Sequence, residues 1–321
     1  MRLSRRLSGV VSPITYRVER LSPTQFAYLL VFPVLLIMSV IAFWPLFRTF
    51  EISLHGDQLT GASAVGEFVG LRNYVALFSG DRAAVMPQPF LDLQEPLKSS
   101  LIVTCLFAII SVSIETVLGF GQAIVLDQNF RGRRWVRTAI LIPWAVPIVI
   151  QGMIFFLMFS PGIGFAVEPL HQLGLFSLTP LNDTVSSLVI IIVADIWKTT
   201  PFMALLILAG LQSVDRDLYD VAKVAGASRW QQFKMITLPL VLPSVLVAML
   251  FRSIAALRIF GLIETVSSCS TVPSLSCMVV STFDSQRFGT SAAIAFVTAS
   301  IIAVAVSVYI VKFARSEQGA I

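Results

Sequence analysis

Charged residues are scarce in this sequence. Asp, Glu, Lys and Arg make up 13% of its 321 residues, whereas 56% are hydrophobic and the mean hydropathy is +0.85. A soluble domain carries about 25% charged residues, so this chain lacks the polar surface that a soluble fold needs. The composition predicts an integral membrane protein, and a net charge of +5 in such a chain does not indicate nucleic-acid binding.

Catalytic and metal-binding motifs are also missing. The sequence contains no Gly-x-x-x-x-Gly-Lys-Ser/Thr loop to hold a nucleotide phosphate and no nucleophile motif. Its two histidines, His55 and His171, lie in predicted outer loops and form no cluster. We therefore expect no catalytic residue, no metal site and no cofactor bound by this chain, and we do not expect an enzyme.

Six apolar runs are long enough to cross a bilayer, which takes about 20 residues each. They predict an all-α integral membrane protein with a six-helix transmembrane bundle. The predicted spans are 26–47, 100–126, 138–159, 186–211, 240–262 and 290–313. Trp44-Pro45 is expected to close the first span, and Pro239 to end the polar loop before the fifth. Residues 1–25 and 316–321 are then tails around a membrane domain, 26–315.

Basic residues gather on one side of the predicted bundle. The N-terminal tail has five arginines, the loop 131–137 has four, the loop 213–239 has four basic residues and the C-terminal end has two. The loops on the other side carry five over a much longer stretch. Because basic loops stay in the cytoplasm, both termini and the 213–239 loop are predicted to be cytoplasmic.

The 213–239 loop is a polar segment with the signals of two short helices. The first begins near Asp217 and is stopped by Gly226, which can adopt a left-handed conformation. Ser228 and Gln231 have capping-box spacing and start a second helix that carries Trp230 on one side. A plain connection between two membrane helices is the alternative, but the pattern favours a surface that another protein contacts.

This loop resembles the conserved cytoplasmic loop of permease subunits in binding-protein-dependent ABC importers. The family pattern is present, with its spacing intact, as Asp220-Val221-Ala222, Gly226, Ile236 and Leu238-Pro239. Asp220 and Val221 replace the family's Glu and first Ala, and Ala225 stands where sugar importers usually have Asp. The resemblance implies a coupling helix that sits in a groove of a cytoplasmic ATPase. The residues implied in this contact are Asp220, Ala222, Gly226, Arg229 and Trp230.

The resemblance covers most of the chain. The outer segment 68–78 and the run 195–203 look like carbohydrate-uptake permeases, and the run is close to trehalose importers of the maltose-transporter type. It implies a type I ABC importer fold, a multi-pass subunit of the plasma or inner membrane, and import of a disaccharide such as trehalose or maltose. The implied partners are a second, homologous permease subunit, two ATPase subunits that bind ATP and Mg, and an extracytoplasmic solute-binding protein or lipoprotein.

Charged side chains inside the spans are candidates for the solute pathway, because such residues are costly in a bilayer and usually functional. Asp195 and Lys198 are three residues apart on the fourth span, close enough to pair. A sugar needs aromatic faces together with hydrogen-bonding groups. The candidate pathway residues are Asp195, Trp197, Lys198, Thr199, Arg252, Arg258 and Phe260. Alternatively, Asp195 pairs with Lys198 or an arginine only to neutralise buried charge.

Two further points concern residues outside this set. Glu115 in the second span is expected to be structural, at a helix contact with a partner subunit, and Cys105 in the same span to be an apolar filler. Cys269 and Cys277 lie together in a predicted outer loop, where they form either a disulfide around Pro273 or two free thiols.

Two other functions stay open at this point. Arg252 and Arg258 would also suit an ABC importer of glycerol phosphate or another polar metabolite. An ion-coupled secondary transporter is an alternative from a different class, although no second half of the chain repeats the first.

Overall fold

A computed structural model describes residues 21–59, 65–80 and 86–318, with side chains as far as residue 312. The chain separates into two compact units, Met1–Ile52 and Ser53–Ile321. Its helices are α1 Pro23–Met38, α2 Trp44–Ser53, α3 Arg72–Ser79, α4 Ser100–Asp127, α5 Arg133–Ile140, α6 Ile142–Ala145, α7 Ile148–Phe159, α8 Val167–Gln172, α9 Thr184–Gln212, α10 Asp217–Val224, α11 Arg229–Gln232, α12 Leu238–Leu257, α13 Gly261–Val266, α14 Leu275–Asp284 and α15 Phe288–Gln318.

The first span is one long helix made of α1, a π-helical turn (Ser39–Phe43) and α2. It begins with a capping box between Ser22 and Gln25 and runs to Ser53. The prediction that Trp44-Pro45 closes this span is wrong. The π turn ends two residues before Pro45 and shifts the hydrogen-bond register, so the missing proline N–H does not end the helix.

Three predicted spans are confirmed with nearly the predicted bounds: Ser100–Asp127, Thr184–Gln212 and Phe288–Lys312. The first two of these, α4 and α9, pack closely. An added Cβ at Gly119 would lie 2.8 Å from the Cβ of Met203, so only glycine allows this approach. Small residues at helix contacts are the usual means of close packing inside a membrane.

The third span is broken, which corrects the prediction of one continuous helix over 138–159. Arg133–Ala145 and Ile148–Phe159 meet at an angle of 86°. The cause is Pro147, which disfavours helical backbone at Val146, whose φ and ψ are −68° and 129°. Helix α7 has 12 residues and is therefore about 18 Å long, too short to cross the hydrocarbon core alone.

The fifth span also differs from its prediction. Its helix is continuous from Arg229 to Leu257, rather than over 240–262, and Pro239 does not end the loop before it. A π turn, Phe233–Thr237, again lies just before the proline and accommodates it. After Leu257 the chain turns into the short helix α13.

The segments that join the spans on the predicted outer side are partly ordered by polar contacts. A two-stranded antiparallel sheet pairs β1 (His55–Asp57) with β2 (Val65–Phe68), and the Asp57 carboxylate accepts hydrogen bonds from the backbone and hydroxyl of Thr290 at the start of α15. Asp183 caps α9 by accepting from the backbone N–H and hydroxyl of Ser186, which lowers the pKa of the Asp183 carboxyl.

Candidate functional site

A cluster of buried charges joins α4, α9 and α12 inside the bundle. The guanidinium of Arg252 donates from Nε to Oε2 of Glu115 at 2.5 Å and from Nη2 to Oε1 at 3.1 Å. The same Nη2 donates to Oδ2 of Asp195. Thr199 Oγ1 donates to Glu115 Oε1 at 2.7 Å. Glu115, Asp195 and Arg252 are 0%, 6% and 4% exposed, so each charge depends on the others for compensation.

The membership of this cluster corrects one expectation and decides between two alternatives. Glu115 is the partner that sequence reasoning missed, because it was expected to lie at a contact with another subunit. Asp195 pairs with Arg252 and not with Lys198, although Lys198 is only three residues away on α9. The signal for Glu115 was present, since a carboxylate inside a span needs a counter-charge, but its partner is 137 residues away in the chain.

Lys198 contacts the broken third span instead. Its ammonium group donates to the carbonyl of Val146, at the break between α6 and α7. A cation at the C-terminal end of a helix also complements the helix dipole. On the far side of the break, Gln151 Nε2 donates to the Ala194 carbonyl at 2.6 Å. The fourth span therefore holds the third on both sides of its bend.

Aromatic side chains surround this bend. The rings of Phe155 and Trp197 are 6.0 Å apart in a tilted contact, and those of Trp144 and Phe202 are stacked at 6.0 Å. Trp197 is 41% exposed, so one part of its indole is open to the surroundings of the chain. Lys198 is the central residue of the 29-residue helix α9, which places the charges and the rings near the middle of the membrane.

The structure brings together only part of the predicted pathway set. Asp195, Thr199 and Arg252 share one hydrogen-bonded cluster, and Trp197 and Lys198 flank it. Arg258 lies just beyond the end of α12 and is exposed, and Phe260 packs against the apolar core. These last two residues do not join the cluster, because the helix ends at Leu257.

The 213–239 loop contains the first helix that its sequence predicts. Helix α10 spans Asp217–Val224, and Gly226 follows with a φ of +82°, the left-handed conformation expected of a helix stop. The capping box of Ser228 and Gln231 is confirmed. The second helix is not separate, however. It is the first turn of the fifth span, so the loop is continuous with a membrane helix.

One side of this loop is held by contacts with neighbouring helices, and its other side is exposed. Arg216 Nη2 contacts Asp127 Oδ2 at 2.6 Å, and the hydroxyls of Tyr219 and Thr237 lie 3.0 Å apart. Outward, the large apolar side chains Val221, Val224 and Trp230 are 68%, 91% and 69% exposed. Apolar side chains exposed beside charged ones are typical of a surface that contacts another protein. Of the residues implied in coupling, Asp220 pairs on the surface with Lys223.

The remaining predicted residues lie apart from both regions. Cys269 and Cys277 are joined in a disulfide, with Cα atoms 5.5 Å apart, which ties the segment before α14 to the first turn of that helix. Cys105 is a half-buried free thiol on α4. Among the residues that the structure describes, no three His, Cys, Asp or Glu side chains are grouped to hold a metal ion.

Comparison with known proteins places this arrangement among membrane transport components. A family model described as "Binding-protein-dependent transport system inner membrane component" matches residues 115–315. The trehalose/maltose transport system permease protein MalF of Thermococcus litoralis is 36% identical over 296 residues, covering 91% of this chain and 92% of the relative. The trehalose transport system permease protein SugA of Mycobacterium tuberculosis is 31% identical over 303 residues, covering 94% and 92%.

A solved structure shares the fold. The crystal structure of a bacterial ABC transporter involved in the import of the acidic polysaccharide alginate aligns with a TM-score of 0.70 and 20% identity, over 94% of this chain and 99% of that chain. At this identity the likeness concerns the fold alone, and it agrees with the five long apolar helices and the one bent helix pair in the described residues.

Proposed function

Since this chain belongs to the family of inner membrane components of binding-protein-dependent transport systems, we propose that it forms half of the pathway of an ATP-driven carbohydrate importer. It is a multi-pass membrane subunit and a transport component rather than an enzyme. We propose that its solute is a disaccharide such as trehalose or maltose. The printed names of the two relatives, which this chain matches along more than nine-tenths of its length, support that choice.

The observation that carries the solute proposal is the polar and aromatic cluster beside the mid-membrane break. Trp197 offers an exposed apolar ring face. Beside it, Lys198 and Thr199 are half-buried, and the Thr199 hydroxyl is hydrogen-bonded to the buried charge cluster through Glu115. A sugar presents hydroxyl groups that exchange into such a network, and its ring face stacks on an indole. Discontinuous helices near the membrane midplane are a recurrent means of exposing polar backbone to a solute.

The charge balance of the cluster favours a neutral solute. Two carboxylates, Glu115 and Asp195, already face the Arg252 guanidinium, and Lys198 is held by a backbone carbonyl. An anion such as glycerol phosphate would have to displace these carboxylates from Arg252. The importer of an anionic solute is therefore the weaker alternative, and membership of the family speaks against the ion-coupled secondary transporter.

The 213–239 loop is proposed to couple the bundle to a cytoplasmic ATPase. Its exposed apolar side chains provide the contact, and its direct continuation into the fifth span provides the mechanical connection. The proposed assembly contains a second, homologous permease subunit, two ATPase subunits with ATP and Mg, and an extracytoplasmic solute-binding protein. Both termini and the loop lie on the cytoplasmic side in this arrangement, as the distribution of basic residues predicts.

Solute uptake by the reconstituted importer tests the solute proposal. Labelled trehalose and maltose should enter vesicles only with internal or external ATP available to the ATPase, and unlabelled glycerol 3-phosphate should not compete. Trp197→Ala should lower the uptake rate by about tenfold, the effect of roughly 1.4 kcal/mol. Asp284→Asn, at an exposed position, is the matched surface control. Uptake driven by an ion gradient without ATP would overturn the proposal.

Two loop variants test the coupling proposal separately. Gly226→Pro and Asp220→Lys should leave the chain inserted in the membrane at normal levels and abolish ATP-driven uptake. Undiminished uptake in both would show that the loop does not transmit the action of the ATPase, while leaving the solute assignment untouched.

A further inference from the structure

The four arginines of the 131–137 segment divide into two pairs with different surroundings. Arg133 Nε and Arg137 Nη2 both donate to the carbonyl of Leu126, at 2.8 and 3.0 Å. They are four residues apart and therefore lie on one face of α5. This face is fastened to the C-terminal end of α4, where cations also complement the helix dipole.

The other two arginines take no part in this contact and lie near an exposed tryptophan. Arg134 is on α5, and Arg131 is in the turn that precedes the helix. Arg131 and Arg134 are exposed, and neither forms an ion pair with any of the described residues. Trp135 follows Arg134 on α5 and is 79% exposed. Exposure of an indole to water is unfavourable, and an exposed indole beside unpaired guanidinium groups is typical of a helix in contact with a membrane interface.

The depth of this face supports the same environment. Leu126 and Asp127 end the membrane-spanning helix α4, so the arginines fastened there lie where the hydrocarbon core gives way to headgroups. Further along the chain, toward the break at mid-membrane, Ile142 and Trp144 are 62% and 49% exposed. The charged side chains of the segment are thus followed along the chain by exposed apolar and aromatic ones, which agrees with the decrease in polarity from headgroup to acyl chain.

We propose that the exposed side chains Arg131, Arg134 and Trp135 of the 131–137 segment bind an anionic phospholipid of the cytoplasmic leaflet. The two guanidinium groups pair with the phosphate oxygens of the headgroup, which suits their planar donor geometry, and the indole lies at the level of the ester groups. A bound lipid would hold α5, and through Arg133 and Arg137 it would fix the end of α4. The proposal rests on the cytoplasmic placement of this loop.

Lipid retention by the full-length chain tests this proposal. The chain is purified in mild detergent and titrated with phosphatidylglycerol or phosphatidylcholine, and bound lipids are counted by native mass spectrometry. Arg131→Gln and Arg134→Gln should each weaken phosphatidylglycerol retention by about fivefold, and together by roughly 25-fold. Arg72→Gln is the matched control, because Arg72 is exposed at the start of α3 on the predicted outer side and should change nothing.

A second readout reports on Trp135 and does not depend on arginine variants. Brominated phosphatidylglycerol should quench part of the tryptophan fluorescence of the parent chain, and Trp135→Phe should remove that part. Inorganic phosphate at millimolar concentration should not displace the lipid.

Two outcomes would overturn the proposal. They are unchanged phosphatidylglycerol retention in the double variant and equal retention of phosphatidylcholine by the parent. Since lipid retention is measured without transport, a negative result leaves the sugar-import proposal standing, and failed sugar uptake leaves this test intact.

Discussion

Two regions of this protein contain ion pairs in opposite surroundings. In the cluster between α4, α9 and α12, the side chain of Arg252 is 5% exposed, and those of its partners Glu115 and Asp195 are 0% and 9% exposed. On the 213–239 loop, the paired side chains of Lys223 and Asp220 are 62% and 71% exposed. The first set is enclosed by helices, and the second stands in solvent.

The difference decides what each pair does for the molecule. Removing one member of a buried set leaves an uncompensated charge in a medium of low polarity, which is strongly unfavourable. An exposed pair is solvated whether or not it forms, so it contributes little to stability. The buried set therefore fixes which helices meet, whereas the exposed pair leaves its loop free to exchange its contacts for those of a partner.

The largest effect is expected from removing the buried cation. Arg252→Met leaves Glu115 and Asp195 buried without a counter-charge, and the expected loss of stability is roughly 3 to 5 kcal/mol. The fraction of monodisperse protein after heating in detergent measures it. Combining this change with Glu115→Gln and Asp195→Asn should restore most of the stability. A single variant as heat-resistant as the parent would contradict the assignment of mutual compensation.

A smaller effect is expected at the stop of α10. Gly226 has a φ of +82° and open space around an added Cβ, so Gly226→Ala meets backbone strain and no clash. The expected cost is about 1 kcal/mol, visible as a modest drop in thermal midpoint. Gly121→Ala is the control, since Gly121 has a helical backbone and equal space. Equal effects of the two changes would show that the left-handed turn is not required.

The ion pair between Arg216 and Asp127 lies between the two extremes, with side chains 64% and 10% exposed. Asp127→Arg should destabilise by less than about 1 kcal/mol, because solvent reaches Arg216, and it should also lower coupled uptake. The charge-reversed pair Asp127→Arg/Arg216→Asp should recover part of both. A double-mutant cycle on heat resistance and uptake measures the interaction between the two side chains, and strictly additive changes would show that they do not interact.

The smallest effect is expected at the exposed pair. Lys223→Gln should change heat resistance by no more than about 0.5 kcal/mol, since Lys223 and Asp220 are mostly solvated. The effect of this substitution should also change only slightly with salt concentration. A loss as large as that of Arg252→Met would mean that the loop is a rigid part of the bundle, and the contrast between the two regions would fail.

Local signals in the sequence predicted much of this protein correctly. Runs of about 20 apolar residues predicted α4, α9 and α15, because each helix satisfies its own backbone in a bilayer. Capping residues predicted the turn from Gly226 to Gln231, because every contact there lies within a few positions. The same local reasoning failed at Pro45 and Pro239, where a preceding π turn lets the helix continue.

The sequence by itself therefore determined the membrane class, the positions of α4, α9 and α15, and the capped turn of the 213–239 loop, all of which follow from neighbouring residues. Only the tertiary structure decided which charges meet. Arg252 is 57 residues from Asp195 and 137 from Glu115, and nothing along the chain distinguishes that arrangement from a pair of Asp195 with Lys198. The physical reason is that a buried charge pairs with the group that helix packing brings within reach. Lys198 is close to Asp195 on the same helix, but its ammonium group donates to the carbonyl of Val146 at the bend instead.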